Sequence, residues 1–570
     1  MTRFEKLKIK NNKSKIRKGL ALPLVIVAVI ILAALAVGLM MASFGVRIQS
    51  IRAKNETAAM LAAEAGYEKG VYWMSQQSDI LSAMQKGGAT GTIDFDTSSC
   101  SYQVDFDNYI GARPVFRITS TGTSGISTRV VDVQVVQEIT GWVMGKCRIP
   151  SGPNSTTPVN FADGEILDIP IHINNLKDNP DDRDIYIIGK PQFKQKVEMG
   201  ESRKTAGGSD KYSSVMNLFG DGIYFDQPNV RITDTSAVTS KVNRFRDSTN
   251  TLYRFKPAGT AAVTKPRSAV QLEFFVDAGV GKVRITNNCT VRACPGYTND
   301  YNIVPNGNGN TYQKYDIYAY HYAPKDQLPV TVPVENTYVK QKFGSKESEP
   351  GGQIFVDGDV VIGGKDYADM VVKGKMTVVA SGNIWIADKI YVDGPPRNVD
   401  TDMPADSNPN VLGLISQGIV KVVDPGLSNS ALLPAPDTSA DGVADSSTSA
   451  RHIYKPIAND DGATVNNRIL PHTMVIEAAV TVGGGGWGAE NVRSSGGRKV
   501  SPGYKQDFLI VRGTLSECIR GIVGIVGQNG YIKRYYLDKR LLKGILPGDI
   551  WFGGKYVPAP AGWHDYRPEE

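Results

Sequence analysis

Hydrophobic and polar positions follow three different patterns along this chain. The first is unbroken apolarity. Leu20 to Val46 is 27 residues without a charge, long enough at about 1.5 Å per residue to cross a bilayer. After Arg47 the pattern turns amphipathic, with Ile48, Ile51, Ala58, Leu61, Ala62 and Ala65 at helical spacing. No proline interrupts the stretch from Leu24 to the glycines at Gly87–Gly88. The spacing predicts one helix over about 20–84, close to 100 Å long. It would be apolar all round at one end and half-buried at the other.

From Ala89 the period changes to two. "SYQVDFD", "PVFRITSTGTS" and "TRVVDVQVVQEI" alternate apolar and polar residues between Gly/Ser turns. They predict a small antiparallel sheet that packs on the half-buried part of the helix. Strand candidates continue through 149–348 ("IHINNL", "DIYIIG", "GIYFD", "LYRFK", "QLEFFVDA", "KVRITN", "KYDIYAYHYA") between long polar loops. They read as a β-rich, sandwich-like middle domain that points to no function.

The third pattern begins beyond Gly351. "GDVVI" (Gly358–Ile362), "GKMTV" (Gly374–Val378), "GNIWI" (Gly382–Ile386) and "GIVKV" (Gly418–Val422) each read Gly, any residue, apolar, any residue, apolar. Short strands broken by glycine corners suit a parallel β-solenoid, whose rungs must stack to bury their inward faces; a β-sandwich is the alternative. Polar inserts at Pro395–Asn410 and Asp424–Asn467 should bulge from the corners. The fold class is therefore α+β and mostly β. The expected division is a leader over 1–19, a transmembrane helix over 20–86, a β domain over 87–148, a middle domain over 149–348, a solenoid-like domain over 349–550 and a tail over 551–570. Plentiful glycine (59) and proline (31) fit turn-rich β architecture.

The net charge of +7 suggests nucleic acid until it is located. Residues 1–19 hold eight basic residues against one acidic, so they carry all of it and the remainder sums to zero. A basic stretch before an apolar run stays cytoplasmic, which places everything after Arg47 outside. A cleaved secretory signal is the competing reading, since "ALA" at Ala34–Ala36 suits a peptidase. The apolar run, however, continues past it through "VGLMMASFGV".

Three features carry a family resemblance: the basic leader ending at Lys18–Gly19, the apolar run directly after it, and "AAEAGYEKG" (Ala62–Gly70). Together they resemble the N-terminal helix of type IV pilins, and the last is similar to minor pilins of the PilX kind. The resemblance implies cleavage by prepilin peptidase between Gly19 and Leu20. It also implies a helix that acts in turn as export signal, single-pass inner-membrane anchor and packing core of a fibre, with other pilins as partners. Leu24 departs from the family, which places a glutamate there to pair with the free amine of a neighbouring subunit. A tip subunit has nothing above it and needs no such carboxylate, and an unused one in lipid is costly. The glycine-cornered segment, including "GYIKRYYLDKRL" (Gly530–Leu541), resembles a domain of unknown function that follows PilX-like N-termini. The implied role is a large minor pilin at a cell-surface fibre tip, in contact with an external surface ligand. The alternatives are a competence pilin that captures DNA and an anchored envelope adhesin that never enters a fibre.

The remaining chemistry is sparse. The five histidines are isolated, and no nucleophile elbow or phosphate loop occurs. No catalytic residue, metal or cofactor is therefore expected. "GGGGWG" (Gly483–Gly488) reads as a corner loop presenting Trp487, and "DNPDDRD" (Asp178–Asp184) as a solvated acidic loop without EF-hand spacing. The five cysteines form no CxxC pair. Export permits disulfides, and Cys289–Cys294 in "CTVRAC" is the candidate pair, with free thiols the alternative.

Charge segregates, with 13 acidic against 6 basic residues over 351–450 and 11 basic against 3 acidic over 491–545. In the second stretch Lys533, Arg534, Lys539 and Arg540 interleave with Tyr535 and Tyr536. Cations on phosphates and aromatics on bases are how proteins hold single strands, so these six residues are the candidate DNA-binding cluster. The competing reading has the tyrosines closing a rung and the cations pairing with acidic residues.

Overall fold

The computed structural model describes residues 21–568 apart from 78, 139, 153–154, 176–182, 231–234, 258–266, 294–299, 307–308, 316–317, 322–328, 364–368, 400, 424–472, 484–485, 490–507, 525–529 and 544–554. The N-terminal helix α1 (Ala21–Gln76) is one unbroken run of 56 residues, about 84 Å long. It stops short of the predicted end, and a separate helix α2 (Ile80–Gln85) follows. Asp79 opens α2: its carboxylate accepts from the Ser82 hydroxyl at 2.7 Å and pairs with Arg244 at 3.2 Å. Burial alone would raise this carboxyl, but Arg244 and Ser82 outweigh it and hold it below the usual range.

β1 (Ala89–Asp94), β2 (Ser99–Ile110), β3 (Arg113–Ser124) and β4 (Ser127–Gln137) form the expected antiparallel meander. Phe116, Ile118, Val131 and Val133 pack with Ala63, Tyr67 and Met74 of α1. The sheet has a fifth strand that the sequence hid. Tyr556–Tyr566, read as a tail, pairs antiparallel with β4. Everything between Gln137 and Tyr556 is thus inserted into this head.

The insert is organised as parallel ladders. In the first, Gly351–Val356, Lys375–Ala380, Val411–Ser416, Ala479–Val482 and the second half of Phe508–Ile519 pair in succession. In the second, Asp359–Ile362, Ile384–Ile386, Val420–Val422 and Trp487–Ala489 do the same. In the third, Met370–Val372, Ile390–Val392, Met474–Ile476, the first half of Phe508–Ile519 and Ile532–Leu537 follow one another. Ile354, Val378 and Leu414 point to the main core. Phe355, Val379 and Ile415 point outward against Val242 and Phe245 of the helix α3 (Thr235–Ser248). Burial on both faces explains the near-continuous apolar runs of these strands.

The path through the ladders is not sequential. The chain leaves β4 and enters mid-stack at Trp142–Lys146, then steps through Ile171–Ile173 and Val197–Met199 to Ile223–Tyr224 at one end. α3 crosses the outside to the other end, where Arg254–Phe255 and Arg267–Asp277 pair with Gly351–Val356 and Asp359–Ile362. From there the chain winds back until Phe508–Ile519 meets Trp142–Lys146 and Ile532–Leu537 meets Ile166–Asp168. Strands expected in a separate middle domain therefore extend the same ladders, and no sheet boundary falls at 149.

The glycine pattern has a steric cause. "GDVVI", "GNIWI" and "GIVKV" occupy equivalent places, with Val360 beside Ile384 and Ile384 beside Val420; "GKMTV" belongs to the first ladder. A Cβ on Gly382 would stand 2.2 Å from Asp359 Oδ1, and one on Gly418 would stand 2.2 Å from Asn383 Oδ1. Those oxygens are in place because Asp359 accepts from the Asn383 amide at 2.8 Å and Asn383 accepts from the Ile419 amide at 3.0 Å. Only glycine leaves room for this ladder of side chains along the corner.

The insert at Pro395–Asn410 does not bulge. Arg397 holds Glu477 on the next rung, at 2.5 and 2.7 Å, and Arg512 takes the same carboxylate at 3.1 Å. Arg540 donates to the carbonyls of Asn408 (2.9 Å) and Asn410 (2.8 Å). The loop is a strap across successive rungs. The insert at Asp424–Asn467 lies outside the described residues. Head and stack meet where Phe106 stacks on Phe343 at 4.3 Å and the Glu349 amide donates to the Gly111 carbonyl at 2.9 Å.

Candidate functional site on the anchor helix and the basic cluster

α1 changes character along its length. Among residues 22–51 the large apolar side chains are exposed, from Leu22 (72%) to Ile51 (50%), and the helix is long and apolar enough to cross a membrane. Farther on, Ala59, Ala62, Ala63, Tyr67 and Met74 are buried against the head sheet. The buried face differs from the expected one, since Leu61, Ile48 and Ile51 are exposed. The contact selects small residues because helix and sheet backbones nearly touch. A Cβ on Gly66 would lie 2.1 Å from Ser120 Oγ, and one on Gly122 would lie 2.0 Å from the Ala59 carbonyl oxygen. The AAEAGYEKG motif is thus a docking surface for β3. Leu24 stands 69% exposed on the anchor; Gly19 and Leu20 lie outside the described residues.

The basic cluster is mostly interior. Strand Ile532–Leu537 turns Lys533 and Tyr535 into the core. Lys533 pairs there with Glu165, and burial pulls its ammonium below the usual lysine range. The Arg534 guanidinium lies on the Phe508 ring, 3.4 Å from its centroid. Tyr536 is half-buried. Arg540 is buried, chelated by Asp538 at 2.6 and 3.0 Å. Of the six residues only Lys539 is exposed, so they form no row that could track phosphates. The physical reason is that Lys533 and Arg540 pair with buried carboxylates and Arg534 is taken up by an aromatic ring.

Trp487 likewise is not presented. It is buried in strand Trp487–Ala489, and its indole N–H donates to the Tyr535 hydroxyl at 2.8 Å. Cys100, Cys147 and Cys518 are buried thiols outside any disulfide, whereas Cys294 of the candidate disulfide lies outside the described residues. Among the described residues no group of His, Cys, Asp and Glu is placed to hold a metal ion.

No family model matches the chain, and no curated protein matches it. Among solved structures the chain is similar to the crystal structure of the competence-associated pilin ComZ from Thermus thermophilus. The identity is 10%, over 90% of this chain and 98% of that one, with a TM-score of 0.26. A likeness of that size leaves the functional reading to this chain's own geometry.

That geometry includes one feature the sequence did not disclose. Where the returning chain meets its own entry rung, the interior is polar. Glu517 accepts from the Trp142 indole at 2.9 Å and from the amides of Trp487 and Gly521 at 2.9 and 3.0 Å. Arg520 lies 3.6 Å from the centre of the Phe161 ring and donates to the Val159 carbonyl at 2.7 Å. These groups pair residues some 370 positions apart, and buried polar contacts of this kind fix register at such a junction.

Burial pushes the Glu517 carboxyl up to about 7, against the pull of its N–H donors and Arg520. The folded state therefore holds this proton more tightly than the unfolded chain, whose glutamate titrates near 4.3. Stability from this group is complete below about pH 4 and falls as pH rises through about 7, by up to roughly 4 kcal/mol. We expect Glu517→Gln to be less stable at every pH, because it loses acceptor capacity, but flatter between pH 5 and 8. Thermal unfolding of both proteins across that range reads the difference in slope; parallel curves would contradict it.

Proposed function

We propose that this chain is a minor pilin of the type IV, PilX-like kind, processed between Gly19 and Leu20. In this reading α1 anchors it in the inner membrane with head and stack outside the cytoplasm. The subunit is then carried to the tip of a pilus-like fibre. The role is structural rather than enzymatic, and the ladders are a β-solenoid that presents a large surface to an external partner.

The observation that carries this is the split of α1, exposed and apolar over 22–46 yet with one face buried against an antiparallel sheet over 59–74. One continuous helix of that design serves a lipid environment first and helix-to-helix packing in a fibre later. Leu24, without the carboxylate of fibre-body subunits, supports the tip, as does an insert larger than the head that bears it. DNA capture through Lys533, Tyr535 and Arg540 is not part of the proposal, because their partners are internal.

Expression with and without prepilin peptidase tests the reading. Edman or mass-spectrometric sequencing should give Leu20 as the first residue with the enzyme and an intact leader without it. A product beginning at Val37 would make the protein an ordinary secreted one.

A further inference from the structure

The head sheet has two ends. One faces the stack through Phe106 and Gly111. The other carries the β1–β2 turn, the β3–β4 turn and the end of strand Tyr556–Tyr566, and it points toward the anchor. A Cβ on Gly125 would lie 2.6 Å from Asn55 Nδ2 of α1, and Arg567 pairs with Glu56 at 2.6 Å. The two turns are tied together, since the Ser124 hydroxyl donates to the Thr97 carbonyl at 2.9 Å. Asn55 follows Val46, the end of the uncharged span, by about 14 Å along the axis.

This rim is apolar where the fold gives no reason for it. Phe95 is 45% exposed, Tyr566 46% and Ile126 83%, the last being the most exposed large apolar side chain among the described residues. Ile126 occupies the tip of a two-residue turn beside Gly125, whose φ is 55°. Gly125 supplies the positive φ that the turn requires, so Ile126 serves no backbone need of the turn and its side chain stands in solvent. Exposed cations flank the rim on α1, at Arg47, Arg52 and Lys54.

We propose that the rim is a membrane-surface contact. While α1 spans the bilayer, Phe95, Ile126 and Tyr566 enter the boundary between headgroups and acyl chains, and Arg47, Arg52 and Lys54 meet the lipid phosphates. Apolar and aromatic side chains beside flanking cations are the chemistry of that boundary. Its occupant is a lipid surface because the uncharged, exposed span of α1 ends at Val46, only nine residues before Asn55, and the exposed cations Arg47, Arg52 and Lys54 fill the interval. The contact would hold the head upright on the membrane before the subunit is withdrawn into a fibre. This inference rests on the anchoring reading above.

Photo-cross-linking of the full chain in phosphatidylethanolamine–phosphatidylglycerol vesicles tests it. Benzoylphenylalanine is placed at Ile126, at Leu35 inside the anchor and at Ile188, an exposed site on the stack. Position 126 is a solvent-exposed turn tip, so the label leaves the fold intact, which an unchanged unfolding midpoint verifies. We expect lipid adducts at 126 about tenfold above those at 188, approaching those at 35. Adducts at 35 with none at 126 beyond the level of 188 would overturn the rim contact while leaving the anchor standing. An absence of adducts at 35 would overturn the anchoring reading, and this inference with it.

Discussion

Lys533→Met should destabilise the protein by about 3–5 kcal/mol, the cost of leaving a buried carboxylate without its cation. Lys533 and Glu165 are both almost wholly buried and pair at the junction where strand Ile532–Leu537 meets Ile166–Asp168. Phe161 lies 5.9 Å from the ammonium, so the pair sits against an aromatic wall rather than water. Denaturant unfolding should show a lower midpoint. Adding Glu165→Leu should restore most of the loss, because an apolar pair of similar volume removes the desolvation penalty of both ions. A Lys533→Met protein of unchanged midpoint would mean that the pair does not form in the interior. The prediction also constrains DNA-binding experiments. Replacing Lys533, Arg534, Lys539 and Arg540 together would disrupt the core, so lost DNA affinity in that variant would not identify phosphate contacts.

Much of the architecture was legible because its signals are local. The uncharged run fixed α1, and period-two alternation located β1 to β4. Strand candidates between 149 and 348 fall on strands, including Ile171–Ile173, Ile223–Tyr224 and Arg254–Phe255, whereas "KYDIYAYHYA" spans parts of two strands and residues outside the described ones. The glycine corners at Gly358, Gly382 and Gly418 were visible as a repeat, and the structure supplies their cause in the Asp359–Asn383 ladder.

What escaped the sequence is non-local. No local signal announces that residues 142–146 pair with 515–519, so the mid-stack entry and the return crossing by α3 could not be read. Strand Tyr556–Tyr566 was hidden by Pro558 and Pro560, which mark a segment as a non-strand unless it lies at an edge. It does lie at the edge, and its register shifts between Pro558 and Trp563. The candidate DNA-binding cluster failed for a related reason. Alternation in "IKRYYL" shows that Lys533 and Tyr535 share a face, but Glu165, the partner that makes this face interior, lies 368 residues away. The Leu61 expectation failed because helical spacing locates a stripe without saying how closely the partner sheet approaches. Here the approach is close enough to exclude all but alanine and glycine at its centre.

The antiparallel head is completed by strand Tyr556–Tyr566 on β4, and the stack is grafted between these two strands. Deleting residues 556–570 tests this architecture most directly. The deletion removes seven pairings with β4, the edge contact of Trp563 on Tyr67 at 5.0 Å and the Arg567–Glu56 pair. Hydrogen exchange on the shortened chain should show β3, β4 and residues 59–74 of α1 losing protection by about 3 kcal/mol or more. Strands Gly351–Val356 through Ile532–Leu537 should retain theirs. Equal loss in head and stack, or full protection of β4, would contradict the grafted architecture.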